Sequence, residues 1–213
     1  MIPGDKESWH KEWKRIADFN QSRGDDEISV GHIRTAMNCW LRAANYFRHA
    51  AFWLLPEDPR RLEAFTDMEN CSRKFLEKLN PAGELLQIPY NDNTTLFAYF
   101  VRAPFDTGRQ PCLISMGGLD SIKDEMWFMQ AHAALQRGIS VLMIDGPGQG
   151  GALCRHGITT RYDYEVPLGK CIDYLEPRDD VYSPRISVFG SSFVGYYPAL
   201  ACSYDHPLAA TFS

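Results

Sequence analysis

Arg185-Ile186-Ser187-Val188-Phe189-Gly190-Ser191-Ser192-Phe193-Val194-Gly195-Tyr196-Tyr197 carries the strongest fold signal in this chain. An apolar, β-rich run passes through Gly-x-Ser-x-x-Gly into a helical pattern. A serine at the apex of a sharp strand-to-helix turn presents its hydroxyl at the end of a sheet, on strained backbone that needs small neighbours. The helix that follows points its first N–H groups at charge developing near that hydroxyl. Ser192 is therefore the candidate nucleophile. The same Gly-Ser-Ser also fits a plain capping turn, and Val194 stands where a nucleophile elbow carries its second glycine.

Upstream of this stretch, short apolar runs alternate with helical patterns. Cys112 to Met116 is followed by a helix over about 123–137. Ile139 to Ile144 is followed by a helix over about 162–176 and then by Arg185 to Phe189. Beyond Ser192, a helix over about 193–204 precedes a strand opening at Leu208 to Phe212. Strand–helix alternation of this kind predicts an α/β fold with a mostly parallel sheet covered on both faces. Leu85 to Tyr90 and Thr94 to Ala103, parted by Asn91-Asp92-Asn93, predict an antiparallel hairpin at its start.

Further out, residues 1–83 read as helices. Trp9, Trp13, Ile16 and Ala17 outline a short amphipathic helix. Ile33, Ala36, Met37, Trp40, Leu41, Ala44, Phe47 and Ala51 form one continuous stripe. Leu62, Phe65, Met68, Phe75 and Leu79 mark a third helix, stopped by Asn80-Pro81. A helical module over 1–83 thus precedes an α/β module over 84–213.

The 213 residues are 45% apolar, 13% aromatic and 23% charged, which excludes wholesale disorder. With 22 basic and 27 acidic residues, the net charge of −5 argues against nucleic acid or an anionic membrane as partner. No apolar run nears the roughly 18 residues of a membrane span. Met1 to Ser8 lack the apolar core of a signal peptide, so a cytoplasmic location is expected. The six cysteines form no C-x-x-C pair and read as reduced core thiols. No cofactor and no metal are expected. A small-molecule substrate is, and a homodimer is left open.

Two glycine-rich segments follow predicted strands. In Ser115-Met116-Gly117-Gly118-Leu119-Asp120-Ser121, the glycine pair lets backbone amides approach a substrate oxygen, although it also suits an ordinary turn. In Asp145-Gly146-Pro147-Gly148-Gln149-Gly150-Gly151, the spacing satisfies the dinucleotide fingerprint G-x-G-x-x-G. That reading is rejected because a loop, not a helix, is expected to follow, and Asp145 would sit beside the phosphate. A pocket-lining loop is expected instead.

Taken in order, Met116-Gly-Gly-Leu-Asp-Ser, Asp145-Gly-Pro-Gly-Gln-Gly, Arg161-Tyr-Asp-Tyr-Glu165 and Gly190-Ser-Ser-Phe-Val-Gly-Tyr-Tyr resemble the α/β-hydrolase superfamily. The Trp9…Trp13 helix and Arg42-Ala-Ala-Asn-Tyr46 are similar to its branch with a helical N-terminal module. That branch includes 2,6-dihydroxypseudooxynicotine hydrolase, fungal polyketide-shortening hydrolases of pigment pathways and FrsA-like esterases. The resemblance implies Ser192 attacking the carbonyl of an ester or of an activated ketone, the latter with C–C cleavage, in a small aromatic or polyketide-like molecule. It also implies an oxyanion hole from the N–H of Phe193 and of Gly117 or Gly118, a helical lid, and a pocket lined by Asp120, Asp145 and His156. For His156 a solvated loop position is the favoured reading over a substrate contact.

The chain departs from that pattern after Ser192. The superfamily's acid and histidine follow the serine, and only Phe193 to Ser213 follow it here. Asp205 and His206 are adjacent and read as a helix-terminal charge pair. The histidines at 10, 32, 49, 132 and 156 lie on elements with no base role in the family. The expected sheet stops within strand six and leaves an apolar edge. Val194 and Pro198 further suggest a distorted elbow. Two expectations stand side by side: a serine esterase or C–C hydrolase whose remaining triad members lie outside this chain, and an inactive truncated remnant or binding protein.

Overall fold

The computed structural model describes residues 1–91, 93–105, 108–203 and 208–212, and Asp205 and His206 lie outside these described residues. The chain divides into two compact units, Met1–Leu79 and Asn80–Ser213.

The first unit holds three helices. α1 (Lys6–Ser29) starts where the Asp5 carboxylate accepts the Glu7 N–H. At 24 residues it far outruns the short helix expected. Its buried face continues through Asn20 and Gly24, which carry no apolar signal. Gly24 serves close approach: a Cβ there would lie 2.6 Å from Cδ1 of Trp40. α2 (Ile33–Ala51) buries Ala36, Cys39, Trp40, Ala43, Ala44, Phe47 and Ala50, a three-and-four spacing that forms one face. α3 (Pro59–Leu76) is capped by Asp58 and opens on proline, whose missing N–H has no partner to lose there.

In the second unit, β1 (Glu84–Asn91) and β2 (Thr94–Val101) form the antiparallel hairpin. β3 (Gln110–Met116), β4 (Ser140–Asp145), β5 (Val181–Gly190) and β6 (Ala210–Phe212) complete a six-stranded sheet among the described residues. The order is β1-β2-β4-β3-β5-β6, parallel from β4 through β6. Every residue of β4 is buried, as a central strand covered on both faces requires. α6 (Glu165–Leu175) sends Leu168, Cys171, Ile172 and Leu175 into the core with Ile114, Leu142 and Val188.

Three segments differ from expectation. The helix expected over 123–137 is a 3₁₀ turn (Lys123–Glu125), a π turn (Trp127–Ala131) and the short α4 (His132–Leu135). Here Lys123 is turned inward, where its ammonium donates to Asp124 and to the Asp145 carboxylate. The loop expected after Asp145 contains α5 (Gly150–His156). The helix expected over 193–204 divides into a 3₁₀ turn (Ser192–Gly195) and α7 (Tyr196–Ala201).

Candidate active site

In register, Met116 of β3 pairs with Ile144 of β4 on one side and Gly190 of β5 on the other. Three loops therefore leave the sheet at one level: the segments after Met116, Asp145 and Gly190. Adjacent carboxyl ends of parallel strands, where the chain order reverses, form the crevice in which open α/β sheets place their ligands.

Ser192 has a φ of 57° and is the one non-glycine residue with positive φ among those described. Left-handed backbone is unfavourable for a side-chain-bearing residue and persists only where surrounding structure imposes it. The turn is closed by the Val194 N–H donating to the Ser191 carbonyl at 3.1 Å. Gly190 makes room for it: a Cβ there would lie 2.6 Å from the Val194 carbonyl oxygen and 2.8 Å from Cγ of Pro198. The side chain of Val194, expected to distort the elbow, is buried in the core, and its carbonyl faces Gly190. Pro198 is the third residue of α7, where a missing N–H removes no intrahelical bond. Ser192 itself is exposed.

The glycine pair packs against this turn unequally. A Cβ on Gly118 would lie 3.3 Å from Cβ of Ser192, whereas one on Gly117 would meet Cβ of Ser121 at 2.2 Å. Gly118 is thus the member of the pair beside the serine. The buried Gln149 reaches both: its Nε2 donates to the Gly118 carbonyl at 2.6 Å and the Gly117 carbonyl at 3.3 Å. Its Oε1 accepts the Gly146 N–H at 3.3 Å.

A shallow cleft beside the elbow is lined by Leu119, Pro147, Gln149, Thr160, Tyr164, Phe193 and Tyr197, among others. The rings of Tyr164 and Tyr197 stack at 3.9 Å and 4°, and Phe193 meets Tyr197 edge-on at 5.6 Å. The Tyr197 hydroxyl lies 2.9 Å from that of Thr160. The buried Tyr164 hydroxyl has no hydrogen-bond partner among the described residues. It sits over Gly146, where a Cβ would meet it at 1.9 Å. Burial pushes this phenol well above its ordinary pKa, so it stays neutral.

Of the pocket residues expected from the sequence, Asp145 is corrected. It lies fully buried beneath the cleft, not on its wall. Its carboxylate accepts the Lys123 N–H (2.7 Å), the Lys123 ammonium (3.1 Å) and the Gly151 N–H (2.8 Å). Burial pushes this carboxyl upward, against the pull of the Lys123 ammonium. Lys123 also donates to Asp124 at 3.0 Å, and Asp124 accepts the Tyr99 hydroxyl at 3.0 Å. The helix that the dinucleotide motif requires does exist, as α5, but the Asp145 carboxylate occupies the N–H group that a pyrophosphate would need. Asp120 is exposed and not part of the cleft lining. His156 is exposed on α5 and stacks on Phe97 at 5.3 Å.

Among the described residues, no histidine is hydrogen-bonded to Ser192. His10 faces the Ala50 carbonyl, His32 pairs with Glu27, His49 lies tilted against Trp13, and His132 lies beside Trp127. No helix among these residues is long and apolar enough to cross a membrane. The cleft residues Gln149, Thr160, Tyr164 and Tyr197 escape sequence reasoning, which weighs charged residues first. The one available signal was a polar side chain, Gln149, set between glycines in a loop at a strand's carboxyl end.

Comparison with known proteins agrees with this fold. Residues 3–199 match the family described as Esterase FrsA-like. The chain is 34% identical to "Alpha/beta hydrolase xenA" of Xenoacremonium sinensis, over 98% of this chain and 51% of that protein. It is 32% identical to "20-hydroxy-prefusarin hydrolase FUS2" of Gibberella moniliformis, over 99% of this chain and 52% of that protein. Among solved structures, 2,6-dihydroxy-pseudo-oxynicotine hydrolase superposes with a TM-score of 0.84 at 26% identity, covering 94% of this chain and 55% of that one. AbyA5 shares the fold, with a TM-score of 0.68 at 21% identity over 95% of this chain and 54% of that one. The chain spans about half the length of these relatives.

Proposed function

Because the chain belongs to the FrsA-like esterase family of the α/β-hydrolase fold, we propose that Ser192 is the nucleophile of a hydrolase acting on an ester or an activated ketone. The observation that carries this reading is the left-handed backbone of Ser192, exposed at the end of a central parallel strand. Its Oγ attacks the carbonyl carbon, and the carbonyl electron pair moves to oxygen. The N–H groups of Phe193 and Gly118 receive that oxyanion. The hydroxyl proton passes to a base outside the described residues, which returns it to the departing alkoxide or carbanion. Water then releases the acyl group from Ser192.

Two relatives are named for hydrolysing 20-hydroxy-prefusarin and 2,6-dihydroxy-pseudo-oxynicotine. The cleft of Leu119, Tyr164, Phe193 and Tyr197 favours a small aromatic or polyketide-like substrate by offering flat apolar surface. A second reading, a non-catalytic binding protein, is favoured by one observation: no described histidine is hydrogen-bonded to Ser192.

Fluorophosphonate labelling separates the two. It is to be run on this chain and on any longer product of the same reading frame, with peptide mapping. The expected result is an adduct on Ser192 that Ser192→Ala abolishes. Folded protein that takes no label at Ser192 in either form refutes the nucleophile.

A further inference from the structure

We propose that Gln149 is the positioning residue of the oxyanion loop, an inference that rests on the nucleophile reading above. Glycine at 117 and 118 is what allows backbone to approach Ser192, but glycine peptides are also the least self-fixing in the chain. Something else must set their orientation. In a trans peptide the N–H points opposite to the C=O. By holding the carbonyls of Gly117 and Gly118 at 3.3 and 2.6 Å, the Gln149 amide turns the N–H groups of Gly118 and Leu119 away from itself. Gly118 is the residue packed against Ser192, so the clamp fixes one of the two amides assigned above to the developing oxyanion.

The clamp is itself held. The Gln149 backbone N–H donates to the Gly146 carbonyl at 2.9 Å, and its Oε1 accepts the Gly146 N–H at 3.3 Å. Asp145 at the start of the loop binds the Lys123 N–H, and Ser121 adds a second donor to the Gly118 carbonyl at 3.2 Å. The end that faces two carbonyls must donate, which an amide does and an ionised carboxylate cannot.

Two variants test this, Gln149→Leu and the isosteric Gln149→Glu, with folding checked by urea unfolding. The phosphonylation rate at Ser192 is expected to fall about 10- to 100-fold in each, with Ser192 still the labelled residue. In ester turnover the loss should appear in kcat with KM little changed, since the substrate's ground state does not use the clamp. In Gln149→Glu the deficit relative to the parent should shrink as pH falls through the carboxylate range, because a protonated carboxyl regains one donor. Gln149→Leu should show no such recovery. The Gly117 and Gly118 carbonyl ¹³C resonances should also move in Gln149→Leu. Parental reactivity in both variants overturns the proposal, and so do unmoved carbonyl signals. If the parent takes no label, the nucleophile reading fails on its own, and the carbonyl signals alone then decide the role of Gln149.

Discussion

Ser192 carries a conformational penalty that two substitutions can measure. Its φ of 57° lies in the left-handed region, and its side chain is exposed, so shortening it leaves no cavity. Left-handed backbone costs a residue with a Cβ about 1–2 kcal/mol. Glycine escapes that cost but loses about 0.5–1 kcal/mol through its greater freedom in the unfolded chain. Ser192→Ala keeps the strain, and Ser192→Gly removes it. The glycine variant should therefore be more stable than the alanine variant by about 1 kcal/mol, or about 2–4 °C in Tm for a chain of this size. Both should lose fluorophosphonate labelling. The assay is urea unfolding of the two variants side by side, with unchanged slope confirming that the folded state is the same. An alanine variant more stable than the glycine variant by about 0.5 kcal/mol or more, the order expected of an unstrained site, would refute the strained elbow, and with it the main geometric support for Ser192 as nucleophile.

Two further outcomes bear on the rest of the second unit. Gly190→Ala places a Cβ 2.6 Å from the Val194 carbonyl oxygen, a backbone atom that cannot yield cheaply. It should lower stability by about 2–3 kcal/mol in a thermal melt and abolish labelling of Ser192; an unchanged melt counts against the packing described. Arg178 binds Asp180 and Glu84 and stacks on Phe100 at 4.0 Å, and its guanidinium holds the Asp180 carboxyl below the usual range. A depressed carboxylate adds stability that is fully present above the unfolded value, about 3.9, and is lost as pH falls through the folded one. The urea midpoint of the parent should drop across that acid window, while Asp180→Asn starts lower at neutral pH and varies less. Parallel profiles would remove this pair from the account of acid stability.

The helical spacing of Ala36, Cys39, Trp40, Ala43 and Phe47 and the apolar runs at Cys112 to Met116 and Ile139 to Ile144 made α2, β3 and β4 legible, since periodicity is a local property. What escaped was held by contacts between distant residues. α1 runs on through Gly24 because Trp40, from another helix, fills the space a side chain would need. The segment after residue 122 abandons regular helix because Lys123 turns inward to Asp145. The candidate pocket shows the same division. Asp120, Asp145 and His156 stood out as polar residues in glycine-rich or loop sequence, yet the cleft is lined by apolar and aromatic side chains with Gln149 and Thr160.

By itself the sequence determined the order of the strands, the α/β class and the serine just after β5. Those follow from pattern and from glycine placement over a few consecutive residues. Only the tertiary structure decided that β4, β3 and β5 end at one level, which brings Gly118 and Gln149 to Ser192 across a span of loops. It also decided that the charge of Asp145 is spent inside the fold. Strand register and the burial of charge are set by partners far along the chain, and no local pattern encodes them.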